Sequence, residues 1–233
     1  MRKAVLLARR EIVEQYSDRG AGFRAVFFVA LPIALIFLNR GTGGRGPDTI
    51  LLIFALQAAL LPTATAINSA AGSFAAEKEA QTLVPLLAAP IADIDIVAGK
   101  LIAVLVPAAA LAIISLAAYY GASSVIFGHE RIARLLTPTT LFGLFALAIF
   151  FIMTVGAWVM VVSARVGSQR TAQQIAGFVL GGMIVALSAI GSLIQSLAAE
   201  IVIGVVVAVL VSDLVALDLA RRFWNREEAV ARL

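Results

Sequence analysis

The chain has no cysteine and a single histidine, His129, among its 233 residues. Disulfides, thiolate metal sites and cysteine nucleophiles are therefore excluded together. One histidine cannot build an HExxH-type zinc site. It also lies outside the apolar windows, where an intramembrane serine nucleophile would need its base. Asp213 is the only carboxylate well inside such a window, so no pair of buried acids can share a proton. A phosphate-binding loop of the form GxxxxGK[ST] is missing as well. The one Gly-Lys, Gly99–Lys100, has Ile94 where the first glycine belongs and Leu101 after the lysine. No enzymatic activity or cofactor is expected of this chain. The opening residues MRKAVLLARREIVEQYSDRG hold no apolar run before a small-residue cleavage site, so no secretory signal is expected there.

Charge is scarce too, at 14% Asp, Glu, Lys and Arg, where a soluble domain carries about 25%. Apolar residues make up 61%, and mean hydropathy is +1.00. A water-soluble domain of this length leaves too much of its surface in water to hide that much hydrocarbon. Near-uninterrupted apolar windows recur at 22–38, 50–73, 99–120, 139–162, 175–196 and 198–219. A bilayer core of about 30 Å is crossed by roughly 20 helical residues. Lipid cannot satisfy bare backbone groups, and no strand-like alternation appears, so helices are expected. The expected fold is an all-α membrane protein of six transmembrane helices, a single transmembrane domain over 1–233.

The net charge of +4 does not point to nucleic acid, because in such a chain the placement of cations matters more than their sum. Fourteen of the 18 lysines and arginines fall at the N-terminus, in the second and fourth connections and in the tail 220–233. Only Arg40, Arg45, Arg131 and Arg134 lie on the opposite side. Cytoplasmic segments collect cations, so both termini are expected in the cytoplasm, in a prokaryotic inner membrane. Residues 1–20 place Val5, Leu6, Ala8, Ile12, Val13 and Tyr16 roughly on one face, with Arg9, Arg10, Glu11 and Glu14 mostly on the other. This predicts an amphipathic helix lying on membrane lipid at the cytoplasmic interface.

The connection 74–98 reads FAAEKEAQTLVPLLAAPIADIDIVA and departs from ordinary loop chemistry. A charged cluster, Glu77, Lys78 and Glu79, precedes Leu83, Val84, Leu86 and Leu87, which lie around Pro85 and before Pro90. A short helix with an apolar face and charged shoulders needs cover, from the membrane interface or from a groove on a partner. From Ala75 to Pro107 the chain resembles the signature region of ABC type-2 exporter permeases. There an acidic pair and a Thr-Leu step precede a Leu-Leu pair and a proline, and a Gly-Lys pair opens the third span. Glu77, Glu79, Thr82, Leu83, Leu86, Leu87, Pro90, Gly99 and Lys100 match by position. Gln81 and Val84 depart from that pattern, standing where a glycine and an acidic residue are usual. The stretch SARVGSQRTAQQIAGFVL is similar to the sodium-extrusion-type branch, and haem-exporter permeases share the layout. The resemblance implies a coupling helix made of Glu77, Lys78, Glu79, Thr82, Leu83, Leu86, Leu87 and Pro90. It would dock into one of two cytoplasmic ATPase subunits that bind the ATP. It also implies a second permease subunit, identical or related, that completes a translocation pathway.

Inside the windows, Gln57, Thr65, Asn68, Ser69 and Gly72 fall near one helical stripe. Such a stripe faces a pathway, a second protomer, or ordinary helix packing. Asp213 lies about 11 Å deep at 1.5 Å per residue, where an acid costs about 2.5–3.5 kcal/mol, and has either a structural partner or a proton-relay role. Gly177 and Gly181 form a GxxxG pair, and Pro32, Pro62 and Pro107 are candidate kinks. His129 reads as a solvated loop residue. A proton-coupled secondary transporter and a membrane scaffold are the rival functions. The near absence of fixed charge in the windows points to an apolar or amphiphilic substrate.

Overall fold

A computed structural model of the chain describes residues 2–17, 19–39, 48–79, 93–178, 207, 210–216 and 218–219. Helix is the only regular structure among them, in the order α1 (Arg2–Ser17), α2 (Arg19–Asn39), α3 (Asp48–Leu60), α4 (Thr63–Glu79), α5 (Asp93–Phe127), α6 (His129–Leu135) and α7 (Pro138–Arg165). Residues 169–178 and 210–216 are helical as well. Three helical stretches among the described residues are long and apolar enough to cross a bilayer: Ile50–Glu79, Asp95–Phe127 and Pro138–Arg165. The apolar part of α2, Ala25–Leu38, is shorter. Most of the windows 175–196 and 198–219, and the tail 220–233, lie outside the described residues.

Three boundaries differ from the sequence expectation. Helix α4 continues past residue 73 to Glu79, and α5 begins at Asp93, so both ends of the expected connection 74–98 are helix. Ala75, Ala76, Glu77, Lys78 and Glu79 are all good helix formers, which carries the helix beyond the end of its hydrophobic stretch. The remainder, 80–92, lies outside the described residues, and with it Thr82, Leu83, Leu86, Leu87 and Pro90. The second window is not one regular helix, because α3 and α4 part at Leu61–Pro62. Pro62 has no N–H to donate back to Ala58. The chain turns there, with the Ala64 and Thr65 amides bonded to the Leu61 and Pro62 carbonyls at 3.0 Å. Among the described side chains of α1, Val5, Leu6, Arg9, Arg10 and Val13 are exposed and Ala8 is buried.

The chain divides into two compact units. One comprises Met1–Arg10, Ile67–Val104 and Met153–Leu233; the other comprises Glu11–Ala66 and Leu105–Ile152. In the second unit Ile36, Leu51, Leu116, Tyr119, Ile132 and Leu136 belong to one buried cluster. Tyr119 sits fully inside it and donates its hydroxyl to the Leu51 carbonyl at 2.6 Å. The short helix α6 was unforeseen. It follows Gly128, whose φ of 92° suits glycine and strains any residue with a Cβ. It buries Ile132 and, one residue beyond its end, Leu136, while Arg131 pairs with Asp48 at the start of α3 at 2.7 Å. His129 opens this helix, exposed, with its ring edge-on to Tyr120.

Tyr119→Phe removes one buried hydrogen bond without leaving a cavity. We expect a loss of about 1 kcal/mol, read as a lowered unfolding midpoint in detergent, with the helical content unchanged.

Candidate functional site

In the first unit a group of polar side chains gathers at the C-terminal end of α4. Ile67, Ala70, Ala71, Phe74 and Ala75 form a buried stripe at helical spacing, and its three alanines keep part of it low. Short side chains on such a stripe let a neighbouring helix approach the backbone itself. Ser163 of α7 does this. Its hydroxyl accepts from the Phe74 and Ala75 amides at 3.1 and 3.0 Å and donates to the Ala71 carbonyl at 2.8 Å. One turn away, Gly72 leaves room for Gln169, whose Nε2 would lie 3.1 Å from a Cβ placed there.

The last turn of α4 then carries three consecutive charges. Successive helical residues point about 100° apart, and Glu77, Lys78 and Glu79 each meet a different neighbour. Glu77 pairs with Lys100 of α5, Oε1 to Nζ at 2.9 Å. Lys78 donates from Nζ to the Ala164 carbonyl and, at 3.4 Å, to that of Val166. These carbonyls lie at the C-terminal end of α7, where helix geometry leaves acceptors unfilled and the macrodipole is negative. Glu79 accepts from the Gln169 amide at 3.3 Å, at the N-terminus of the helix 169–178, where the dipole is positive. That helix is capped by Ser168, whose hydroxyl accepts from the Thr171 amide at 3.2 Å. Lys78 and Glu79 thus span the break between α7 and the following helix, each beside the helix end of opposite sign.

Lys100 is the most deeply placed charge in this group, 1% exposed against 24% for Glu77. Besides its ion pair it donates to the Ser73 carbonyl and lies 5.1 Å from the centre of the Phe74 ring. Its contacts on Ser73, Phe74 and Glu77 tie α5 to the final turns of α4. Removing one member of a buried ion pair costs about 3–5 kcal/mol. The partial exposure of Glu77 puts this pair toward the low end of that range.

The other expected site residues divide between two helices and between the two units. Thr65, Asn68, Ser69 and Gly72 share a face of α4, but Gln57 lies on α3, across the turn at Leu61–Pro62, and is exposed. The Thr65 hydroxyl is committed to that turn, donating to the Pro62 carbonyl at 2.6 Å. Gln57 and Thr65 belong to one unit, and Asn68, Ser69 and Gly72 to the other. Asp213 is 4% exposed and accepts from the Thr154 hydroxyl at 2.9 Å through Oδ2. Its Oδ1 is buried without a hydrogen-bond partner among the described residues. Nearby in sequence, Ser212 accepts from the Trp158 indole at 3.1 Å. Gly177 is exposed with open space at its Cβ position, and Gly181 lies outside the described residues.

The sequence reading had no role for Ser163 or Gln169, and it matched Lys100 to the permease signature without giving it a partner. A lysine one residue inside a long apolar window was the available signal for Lys100, since a cation there needs a partner. Nothing local marks Ser163, whose partners lie about 90 residues away. The chain matches no protein-family model and no curated protein.

Ser163→Ala is expected to lower stability by about 1–2 kcal/mol through the lost hydroxyl bonds. Ser163→Leu should cost more, because a branched side chain occupies the space of the α4 backbone. Thermal unfolding in detergent ranks the two variants.

Proposed function

We propose that this chain is the membrane subunit of an ATP-driven ABC exporter, with ATP handled by separate subunits. One observation carries the proposal: the helix ends before and after residues 80–92 are bonded to neighbouring helices. On one side α4 ends in Glu77, Lys78 and Glu79, which bond to α5, to the end of α7 and to the helix 169–178. On the other side α5 begins at Asp93 and supplies Lys100. Helix ends tied to their neighbours in this way deliver a displacement to several helices at once. The resemblance of Ala75–Pro107 to the exporter permease signature supports the same reading.

Within the coupling segment we assign the roles as follows. Glu77, Lys78 and Glu79 have partners within this chain, so contact with the ATPase falls mainly to Thr82, Leu83, Leu86, Leu87 and Pro90. Two permease subunits, identical or related, enclose the pathway, and two ATPase subunits dock on the cytoplasmic side. ATP binding draws the ATPase pair together, pushes the connection, and tilts α4 and α5. Six spans per subunit, cytoplasmic termini and an α1 that rests on lipid headgroups complete this arrangement. The substrate is apolar or amphiphilic.

Leu86→Asp combined with Leu87→Asp should reduce capture of a Walker-A-bearing subunit about tenfold or more, as loss of a central apolar anchor does. The variant should still insert and elute from size exclusion as the unaltered chain does. ATP hydrolysis by the purified chain alone would sink the proposal.

A further inference from the structure

The charges at the foot of α4 differ in what they can touch. Lys100 is buried, and it meets Ser73, Phe74 and Glu77 in the last two turns of α4. A side chain this enclosed cannot dock a partner subunit. Its position nevertheless lies just inside the two helix ends that frame the connection 80–92, at Glu79 and Asp93. The pairing is directional, since the ammonium meets a carboxylate, a carbonyl and a ring face at once. Sliding α4 against α5 would strand the ammonium from all three. Desolvated ion pairs with several hydrogen bonds resist such separation more than apolar contacts, which can re-form after a small slip.

We infer that Lys100, clasping Ser73, Phe74 and Glu77, is the positioning residue that makes α4 and α5 move as one body when the connection is displaced. The inference rests on the exporter reading above and deepens it: the docking groups receive the movement, and Lys100 transmits it. Lys100 and Val125 lie on the same helix, α5, so a label at Val125 reads movement set at its foot. Pro107 lies inside this helix without ending it.

The absence of cysteine makes a direct test available. Val125 is 87% exposed, so Val125→Cys takes a single spin label or fluorophore without disturbing a packed contact. The full complex of permease and ATPase subunits, in nanodiscs, is trapped with ATP and orthovanadate, and the label signal is compared before and after. In the otherwise unaltered chain trapping shifts the signal. In Lys100→Met the ATPase subunits should bind with affinity within about twofold and still trap nucleotide. The signal change should shrink about fivefold or more. Lys100→Arg, which keeps a cation with donors, should restore most of it.

A full signal change in Lys100→Met overturns the inference, as does failure of Lys100→Arg to restore it. Loss of ATPase binding in parallel with the signal also overturns it, because it would make Lys100 part of the docking surface. If Lys100→Met does not assemble, the near-isosteric Glu77→Gln takes its place with the same expected and opposing outcomes. Should the unaltered chain bind no ATPase subunit, the exporter reading falls first and takes this inference with it. That failure appears before any variant is compared, so the two are told apart.

Discussion

A lysine ammonium taken out of water must be met by acceptors or it destabilises whatever contains it. Lys100 imposes that condition on the end of α4. Its needs fix the distance between α4 and α5, place Glu77 at the face it occupies, and turn the Phe74 ring toward the cation. With Glu77 committed, helical geometry leaves Lys78 and Glu79 facing away at successive steps of the turn. They find the end of α7 and the start of the helix 169–178. Their charges are matched to those helix ends, so the last turn of α4 is held by attractions on three sides. The Ser163 hydroxyl supports this from one turn earlier by fixing α4 against α7.

Much of the all-helical architecture was legible from hydropathy. The windows 99–120 and 139–162 fall inside α5 and α7, and the short first window corresponds to α2. What hydropathy misplaces are ends and breaks. It stops a helix where the residues turn polar, whereas α4 runs on through Ala-Ala-Glu-Lys-Glu because backbone propensity does not depend on burial. It also passes over Leu61–Pro62, where the side chains stay apolar while the hydrogen-bond ladder loses a donor. The helix α6 went unread for the opposite reason. Its seven residues include His129, Glu130, Arg131 and Arg134 and look like a loop, yet Ile132 and the following Leu136 anchor it.

The candidate site was legible in composition and not in direction. Glu77, Lys78 and Glu79 stood out as charges at the edge of an apolar region, and exposure to a partner was the natural reading. Whether a charge faces outward or inward depends on residues far along the chain. Lys100 lies 23 residues from Glu77, and Ala164 lies 86 from Lys78. No local pattern encodes those pairings. Asp213 shows the same limit, for its depth could be read from its window, but the Thr154 hydroxyl beside it could not.

The contact between Ser163 and α4 is made to main-chain atoms, so it does not depend on which side chains α4 carries. It requires only that they be small. Mutational tolerance at Ala70, Ala71 and Ala75 is therefore set by volume and hardly by chemistry: glycine or serine fits where valine does not. At position 163 the rule inverts. Size and chemistry are both fixed there, because one short hydroxyl must serve as donor and acceptor in the same small space.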